Sequence, residues 1–245
     1  GGESYGGTGP GSEDEPTAAG TYYLVVVIEE TANYAKTYIG DGENKITFTI
    51  APAQLKPNFV GASDGGYSYE YGNSQNVSVE FTGYQHGEGA GDVPVKCEYK
   101  SKSTSFTSGK ADMLPVGSYT VTASISNCNY YISKVEGKYE LSASKDYEVT
   151  KKDLTVTVTG QSVVYGEALK DWSGFLSAEG WVNGEKDLLE STYFALLATK
   201  EGVVCAYGQG SDVGTYKVTL QDPTSPLAAG MGNYDIIYKD YDDNG

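Results

Sequence analysis

The sequence predicts an all-β protein made of tandem modules of roughly 95 residues, each an immunoglobulin-like β-sandwich. Three observations carry this prediction. Tyrosine and glycine are abundant, with 22 and 32 copies, and such a composition is typical of strands joined by tight turns. Several short segments alternate apolar and polar residues, which is the pattern of a strand with one solvated face. The same short motifs also recur along the chain at a constant spacing.

A Gly-Ser/Thr-Tyr motif marks the repeat most clearly, and an apolar run follows each copy. Its three copies start at Gly20, Gly117 and Gly214, and these glycines are 97 residues apart. An Asn-Tyr pair follows each copy, at Asn33-Tyr34, Asn129-Tyr130 and Asn233-Tyr234. A Tyr-Gly pair precedes the second and third copies, at Tyr71-Gly72 and Tyr165-Gly166. The constant order of these landmarks predicts tandem repeats of one fold.

These landmarks divide the chain into one partial and two fuller modules. Residues 1–52 are predicted to be the C-terminal half of a module, and residues 53–152 a complete module. Residues 153–245 are predicted to form a module that lacks its final strand. We therefore expect the third module to have an unpaired strand edge, or to borrow a strand from a neighbour. The linkers at 51–54 and 150–153 are short, which predicts a semi-rigid rod.

Individual segments show strand patterns, with one exception. Residues 154–159 alternate strictly between apolar and polar side chains. A second apolar face is formed by Tyr119, Val121, Ala123 and Ile125. Residues 24–28 are apolar on both faces, so we expect a central strand that is covered on both sides. Only residues 184–191 show a helical pattern, and a β-grasp-like module with one short helix is therefore the alternative fold.

The charge of the chain excludes several classes of partner. The net charge is −16, and all 17 basic residues are lysines. Nucleic acids and anionic membrane surfaces require a basic footprint, so we expect neither as a partner. No apolar run approaches the roughly 20 residues that a membrane span needs, so we expect no membrane insertion in this fragment.

Residues suited to catalysis are scarce. The one histidine, His86, lies in a glycine-rich turn, and no nearby residue is placed to orient it as a general base. The three cysteines, Cys97, Cys128 and Cys205, are widely spaced and form no disulfide framework or metal knuckle. A bond between Cys97 and Cys128 and isolated thiols packed in strands both remain open. We predict that the chain is not an enzyme.

One acidic segment resembles half of a calcium-binding loop. Asp240, Asp242 and Asn244 supply oxygen atoms at the first, third and fifth positions, and Gly245 follows. In the repeat register the same segment is a hairpin turn, where these residue types are common. Residues 41–44 have a similar composition at the corresponding place in the first module, which favours the turn. No other cofactor is predicted.

Aromatic side chains are the candidate ligand-binding residues. Trp172 and Trp181 flank a segment of the third module, and an indole face can stack on a sugar ring. Tyr67 and Tyr69 alternate with polar residues and therefore point to one face, which would bind a ligand if it were exposed. The alternative is that these rings fill the small cores of the modules.

The third module resembles the MBG repeat domains of large bacterial adhesins. The resemblance rests on a Leu-Thr-Val-Thr strand from Leu154, a Tyr-Gly-Glu turn at Tyr165, a Gly-Thr-Tyr-Lys-Val-Thr strand from Gly214, and an Asn-Tyr-Asp-Ile segment from Asn233. The second module keeps three of these landmarks, and the first shows only the later ones.

This resemblance implies an extracellular protein that is either attached to the cell wall or secreted by a bacterium. Its repeats are expected to form a non-catalytic stalk or adhesive surface. The alternative function is a module that binds a host glycan or a host surface protein through exposed aromatic side chains. The family supplies no catalytic residues that match positions in this chain.

Overall fold

The computed structural model describes residues 15–40, 46–112, 114–199, 202–223, 227 and 230–241. These residues form an all-β, sandwich-like structure with a single α-helix, which confirms the predicted fold class. None of the helices in these ranges is long and apolar enough to cross a membrane.

The described strands are numbered β1 to β20 in chain order. They are Gly20–Leu24, Val26–Ile28, Thr37–Ile39, Ile46–Ile50, Ala53–Gln54, Lys56–Phe59, Tyr67–Glu70, Val79–Thr82, Val95–Ser101, Thr107–Ser108, Gly117–Ile125, Tyr130–Tyr131, Ser133–Val135, Lys138–Glu140, Ser142–Thr150, Lys152–Val158, Leu176–Glu179, Val203–Cys205, Val218–Leu220 and Tyr234–Lys239. The helix α1 is Lys186–Leu197, and two 3-10 helices are Trp172–Phe175 and Met231–Asn233.

The chain divides into two compact units, each built from several segments. The first unit contains Gly1–Val60, Ser78–Cys97 and Thr122–Ser144. The second unit contains Gly61–Val77, Glu98–Val121 and Lys145–Gly245. The module boundaries inferred from the repeats stay a prediction.

The described residues between 15 and 50 of the first unit contain two antiparallel strand pairs. Strand β1 pairs with β4, from Gly20 opposite Ile50 to Leu24 opposite Ile46. Strand β2 pairs with β3 in the same manner. Leu24 is 50% exposed and Val26 and Ile28 are each 44% exposed, so the predicted strand with both faces covered is wrong. An apolar pattern shows which side chains would be stabilised by burial. It does not show whether another part of the fold covers them.

The core of the first unit forms where later segments pack together. Strand β5 pairs in parallel with β12, β6 pairs antiparallel with β8, and β13 with β14 form a hairpin. The buried cluster between them consists of Leu55, Phe81, Val93, Ile125, Tyr130 and Ile132. Burial of these large apolar side chains provides the main favourable term for folding of this unit.

A five-stranded sheet has the strand order β10-β9-β11-β15-β7. Strand β15 runs parallel to β7, with Tyr147 opposite Tyr67. Along β11 every second side chain is buried, which confirms the apolar face predicted there. This alternation is expected when only one face of a strand packs on a core.

The rest of the second unit is organised around β16. This strand pairs antiparallel with β17 and in parallel with β20, and β18 pairs with β19. Leu154, Val156 and Val158 are buried, so the strand predicted from their alternation is confirmed. The predicted helix is also present, but it continues past Ser191 to Leu197. Its buried anchors, Tyr193, Phe194 and Leu197, lie in this extension, and tertiary packing outweighs the weak helix propensity of the aromatic residues.

Candidate functional site

The two tryptophans predicted as ligand-binding residues are both engaged in packing. Trp172 is only 8% exposed and meets Phe175 edge to face, with the ring centroids 5.9 Å apart. Trp181 is half-buried, and its indole N–H donates to the Glu190 carboxylate at 3.2 Å. These contacts leave little of either ring face open for a sugar. The binding role stays a prediction.

The tyrosines predicted on one face of a strand do share a face, and that face is covered. Tyr67 is buried and Tyr69 is half-buried. Both rings lie against Tyr147, at centroid distances of 5.8 and 5.5 Å. The exposure on which a binding role would depend is therefore missing at Tyr67, and the role itself stays a prediction.

Of the three candidate calcium ligands, only Asp240 lies in the described part of the chain. Its carboxylate accepts a hydrogen bond from the Leu220 N–H at 3.0 Å and pairs with Lys217 at 3.3 Å. Asp242 and Asn244 fall outside the described residues. Within the described ranges, no group of three or more His, Cys, Asp or Glu side chains is arranged to hold a metal ion.

The three cysteines are not linked by disulfides, and His86 lies in a turn. The structure describes all three cysteines. Burial raises the pKa of the Cys97 thiol and so favours its protonated form. His86 adopts a left-handed backbone conformation with φ of 53°. Such a φ is typical of a turn residue, and the repeated sequence gives His86 a counterpart later in the chain.

That counterpart is Asn183, whose φ is 55°. Both residues lie in a six-residue segment that occurs twice, as Gly-Tyr-Gln-His-Gly-Glu at 83–88 and as Gly-Trp-Val-Asn-Gly-Glu at 180–185. The two segments are 97 residues apart, like the Gly-Ser/Thr-Tyr motifs. The repeat therefore includes a turn that ends in a glutamate, which we call the Glu turn.

Each Glu turn places its carboxylate on a tyrosine from the Asn-Tyr pair. In the first unit, the Tyr130 hydroxyl donates to the Glu88 carboxylate and accepts from the Gln85 N–H at 2.9 Å. The aromatic residue of the turn, Tyr84, meets the ring of Tyr130 edge to face. A phenol that both donates and accepts at a turn fixes the turn against the strand that carries it.

The second unit repeats this arrangement with other side chains. The Tyr234 hydroxyl donates to the Glu185 carboxylate and accepts from the Val182 N–H at 3.2 Å. Trp181 meets the Tyr234 ring edge to face at 5.3 Å. Burial and then the Glu185 carboxylate raise the pKa of Tyr234 well above its ordinary value.

Glu185 also accepts a hydrogen bond from a second tyrosine, Tyr71. The Tyr71 hydroxyl donates to the other carboxylate oxygen of Glu185 at 2.7 Å, and its ring meets Tyr234 edge to face. The next residue, Gly72, has φ of 83°, and a Cβ placed there would lie 2.6 Å from the Cβ of Val182. The Tyr-Gly pair of one repeat thus packs closely against the Glu turn of the next.

The asparagine of the Asn-Tyr pair makes a second link between successive repeats. The Asn129 side-chain carbonyl accepts from the Ala19 N–H at 2.8 Å. The Asn233 side-chain carbonyl accepts from the Val116 N–H at 3.0 Å. Ala19 and Val116 each stand directly before the glycine of a Gly-Ser/Thr-Tyr motif. The same hydrogen bond therefore occurs twice, each time between an Asn-Tyr pair and the residue before the preceding Gly-Ser/Thr-Tyr motif.

We call the bonds of the Tyr-Gly pair, the Glu turn and the asparagine the repeat junction. The Asn-Tyr pair is evident in the sequence, but its role in linking repeats is not. Nothing in the Asn-Tyr or Tyr-Gly pairs themselves indicates which residues they contact. The recurrence of the Glu turn at 83–88 and 180–185 is the signal that identifies this part of the junction from sequence.

The buried phenols of the second unit predict sensitivity to alkali. Burial raises the pKa of Tyr193 to about 12, and it also raises the pKa values of Tyr147 and Tyr238. A group with a higher pKa in the folded state stabilises the fold below its unfolded pKa, here about 10. This stability is lost as the pH rises through the folded value. We expect ultraviolet titration to show these tyrosines ionising only together with unfolding. Reversible ionisation near pH 10 in the folded protein would contradict the burial described here.

Comparison with known families gives one match. Residues 154–241 match the family model of the MBG domain, YGX type. The match confirms the resemblance seen in the sequence over this part of the chain. MBG domains are a non-catalytic type of repeat domain of surface proteins. No curated protein matches the chain, and no solved structure matches it.

Proposed function

We propose that this chain is a non-catalytic structural and adhesive repeat segment of a bacterial protein that is attached to the cell wall or secreted. The observation that carries the proposal is the recurrence of one hydrogen bond at two successive junctions, from the Ala19 N–H to Asn129 and from the Val116 N–H to Asn233. A recurring junction gives successive repeats a recurring orientation, which is what a stalk requires to hold its far end away from a surface.

The chemistry of the junction supports a semi-rigid segment. Hydrogen bonds to a charged carboxylate contribute about 1.5 to 3 kcal/mol each, and neutral ones about 1 kcal/mol. Glu185 accepts from Tyr71, so the second junction contains one bond of the stronger kind between successive repeats. The bond that Tyr234 donates to Glu185 lies within the third repeat. The close approach of Gly72 to Val182 leaves little space for sliding. A linker of a few residues held by such contacts has few alternative orientations.

Small-angle scattering on the full chain tests the stalk proposal. We expect the scattering of the wild type to fit one narrow set of conformations. The double variant Tyr71→Phe, Asn233→Ala removes the hydrogen bond that Tyr71 donates to Glu185 and the one that Asn233 accepts from Val116. It should broaden the set of conformations without loss of strand content. Wild-type data that require freely reorienting repeats would overturn the proposal.

Asn233→Ala alone is expected to lower the free energy of unfolding of the second unit by about 2 kcal/mol, because the Val116 N–H loses its acceptor. Both tryptophans belong to this unit, so urea unfolding followed by tryptophan fluorescence reports on it. Ser177→Ala, at an exposed position of β17 in the same unit, is the control and should change stability by less than about 0.5 kcal/mol. Equal effects of the two variants would show that the asparagine bond does not link the repeats.

A second proposal is that the segment binds a host glycan or a host surface protein. Trp181 and Tyr69 are half-buried and not fully buried, and this proposal depends on the small accessible part of each ring. A glycan array with the full chain tests this proposal. Binding that is lost in Trp181→Phe, with the fold retained by circular dichroism, would support it, and binding that survives this change would place the ligand elsewhere.

A further inference from the structure

The Glu turn of the second unit has an Asn-Gly pair at its tip. Asn183 and Gly184 have φ of 55° and 72°, and the Glu185 N–H donates to the Val182 carbonyl at 3.0 Å. Two successive positive φ values with this hydrogen bond define a type I′ turn. Asparagine followed by glycine is a preferred pair for such a turn. Both residues at the tip are exposed to solvent.

An asparagine side chain can react with the main chain when glycine follows it, which makes it thermolabile. The main-chain nitrogen of Gly184 attacks the side-chain carbonyl carbon of Asn183. The bond from that carbon to the side-chain nitrogen breaks, and ammonia leaves. Water then opens the five-membered succinimide ring and leaves aspartate or isoaspartate at this position. The net reaction is hydrolysis of an amide, so it needs no oxidant or reductant.

The surroundings of Gly184 leave room for this attack. Nothing lies within 4 Å of a Cβ placed on Gly184, so no neighbouring group hinders its nitrogen. Exposure of both residues gives water access to the succinimide. Exposed turns open locally more readily than core strands, and such an opening lets the Gly184 nitrogen approach the Asn183 side chain.

The Glu turn of the first unit has the same shape with different chemistry. His86 and Gly87 have φ of 53° and 76°, and the Glu88 N–H donates to the Gln85 carbonyl at 3.0 Å. Histidine therefore occupies the place of Asn183, and an imidazole has no amide that could form a succinimide. The chain thus contains one turn that can react in this way and a matched turn that cannot.

Asn183 also faces the tyrosine of the repeat junction. Burial raises the pKa of the Tyr71 phenol, and hydrogen bonds from the Asn183 and Asn233 side chains act in the opposite direction. The same phenol donates to Glu185 at 2.7 Å. A carboxylate in place of the Asn183 amide would have no N–H to donate to the phenol. It would also stand two residues from the Glu185 carboxylate, and like charges repel.

Isoaspartate has a further effect, because its main chain runs through the side-chain carbon. The backbone of the turn then contains an additional methylene group between Val182 and Glu185. A two-residue turn of type I′ cannot keep its geometry when its main chain is longer. Glu185 would therefore leave the position in which it accepts from Tyr71 and Tyr234.

We propose that Asn183 is a site of spontaneous deamidation, and that its conversion to aspartate or isoaspartate breaks the contacts of the Glu turn with the repeat junction. Hydrolysis does not reverse on its own, so the fraction of converted chains rises with the age of the protein. The inference is independent of the proposed stalk, because it concerns contacts among Tyr71, Glu185 and Tyr234, which all belong to the second unit.

Incubation of the full chain in mildly alkaline buffer, followed by peptide mapping with mass spectrometry, tests the site. Asn33 is the matched control, since it is exposed in a turn but is followed by Tyr34. We expect Asn183 to convert at least about tenfold faster than Asn33, because a side chain on the next residue hinders the attacking nitrogen. Mapping also separates Asn183 from Asn244-Gly245, which lies outside the described residues. Equal rates at Asn183 and Asn33 would overturn the proposal.

Urea unfolding followed by tryptophan fluorescence tests the effect on the junction. The Asn244→Gln chain is used, so that ion exchange separates converted from unconverted chains by the negative charge gained at position 183. We expect converted chains to unfold at a lower urea concentration than unconverted ones. Asn183→His, which copies the turn at His86, should keep its transition midpoint throughout the incubation. An unchanged midpoint in converted chains would overturn the proposal, and so would an equal loss in the Asn183→His chain.

Discussion

Gly180→Ala is expected to lower the free energy of unfolding of the second unit by about 3 kcal/mol, because both the backbone angle and the space exclude a side chain. Gly180 has φ of 114°, and a Cβ placed there would lie 2.3 Å from the carbonyl oxygen of Asp153. The three nearest atoms all belong to the backbone of Asp153 and Leu154, so no flexible side chain could move aside. Urea unfolding followed by tryptophan fluorescence measures the change.

Gly184→Ala separates the two causes of this effect. Gly184 has φ of 72°, but nothing lies within 4 Å of a Cβ placed there. It should therefore show only the cost of the left-handed backbone, about 1 kcal/mol. Similar losses in the two variants would show that β16 does not approach the Glu turn as closely as the structure indicates.

Tyr147→Ala is expected to destabilise the second unit by about 4 kcal/mol, which is typical for removing a fully buried aromatic ring. The Tyr147 side chain is 0% exposed and contacts the rings of Tyr67, Tyr69 and Tyr99. The cavity left by the ring would lie beside β7 and β9. Unfolding monitored by tryptophan fluorescence, with the transition midpoint as the readout, gives the size of the loss.

Tyr147→Phe keeps the ring and removes only the hydroxyl. That hydroxyl donates to the Gln75 carbonyl and accepts from the Gln75 N–H at 3.1 Å. We expect a loss of about 1.5 kcal/mol from the two unsatisfied backbone groups. If the phenylalanine variant were as unstable as the alanine variant, the hydrogen bonds and not the ring packing would hold β15 in place.

The sequence was informative where a segment carries its own pattern. Residues 154–159 alternate, and β16 forms there with Leu154, Val156 and Val158 buried. The helix was also evident, but its end was not, because Tyr193 and Leu197 are helical through packing and not through local preference. Local signals therefore fixed the type of each element better than its length.

Prediction from the sequence was weakest for burial and for contacts that depend on residues distant in the chain. Residues 24–28 have the composition of a buried strand, yet the side chains of Leu24 and Ile28 are about half exposed. Trp181 was predicted as a ligand platform, and its surroundings are Glu190 and Tyr234. The repeat junction escaped prediction for the same reason, since the hydrogen bond that the Val116 N–H donates to Asn233 spans more than one hundred residues. One sequence contains no record of such pairs.

The asparagine bond of the junction has a consequence for how such chains evolve. Its donors are main-chain N–H groups, and the side chains at these positions differ, alanine at Ala19 and valine at Val116. Because the donor is a main-chain N–H group, the contact is kept when the side chain at the donor position is substituted. It also survives duplication, because a copied unit brings both halves of the contact with it. Arrays joined in this way can lengthen or shorten by recombination in a single genetic event, with no compensating substitution at the new boundary.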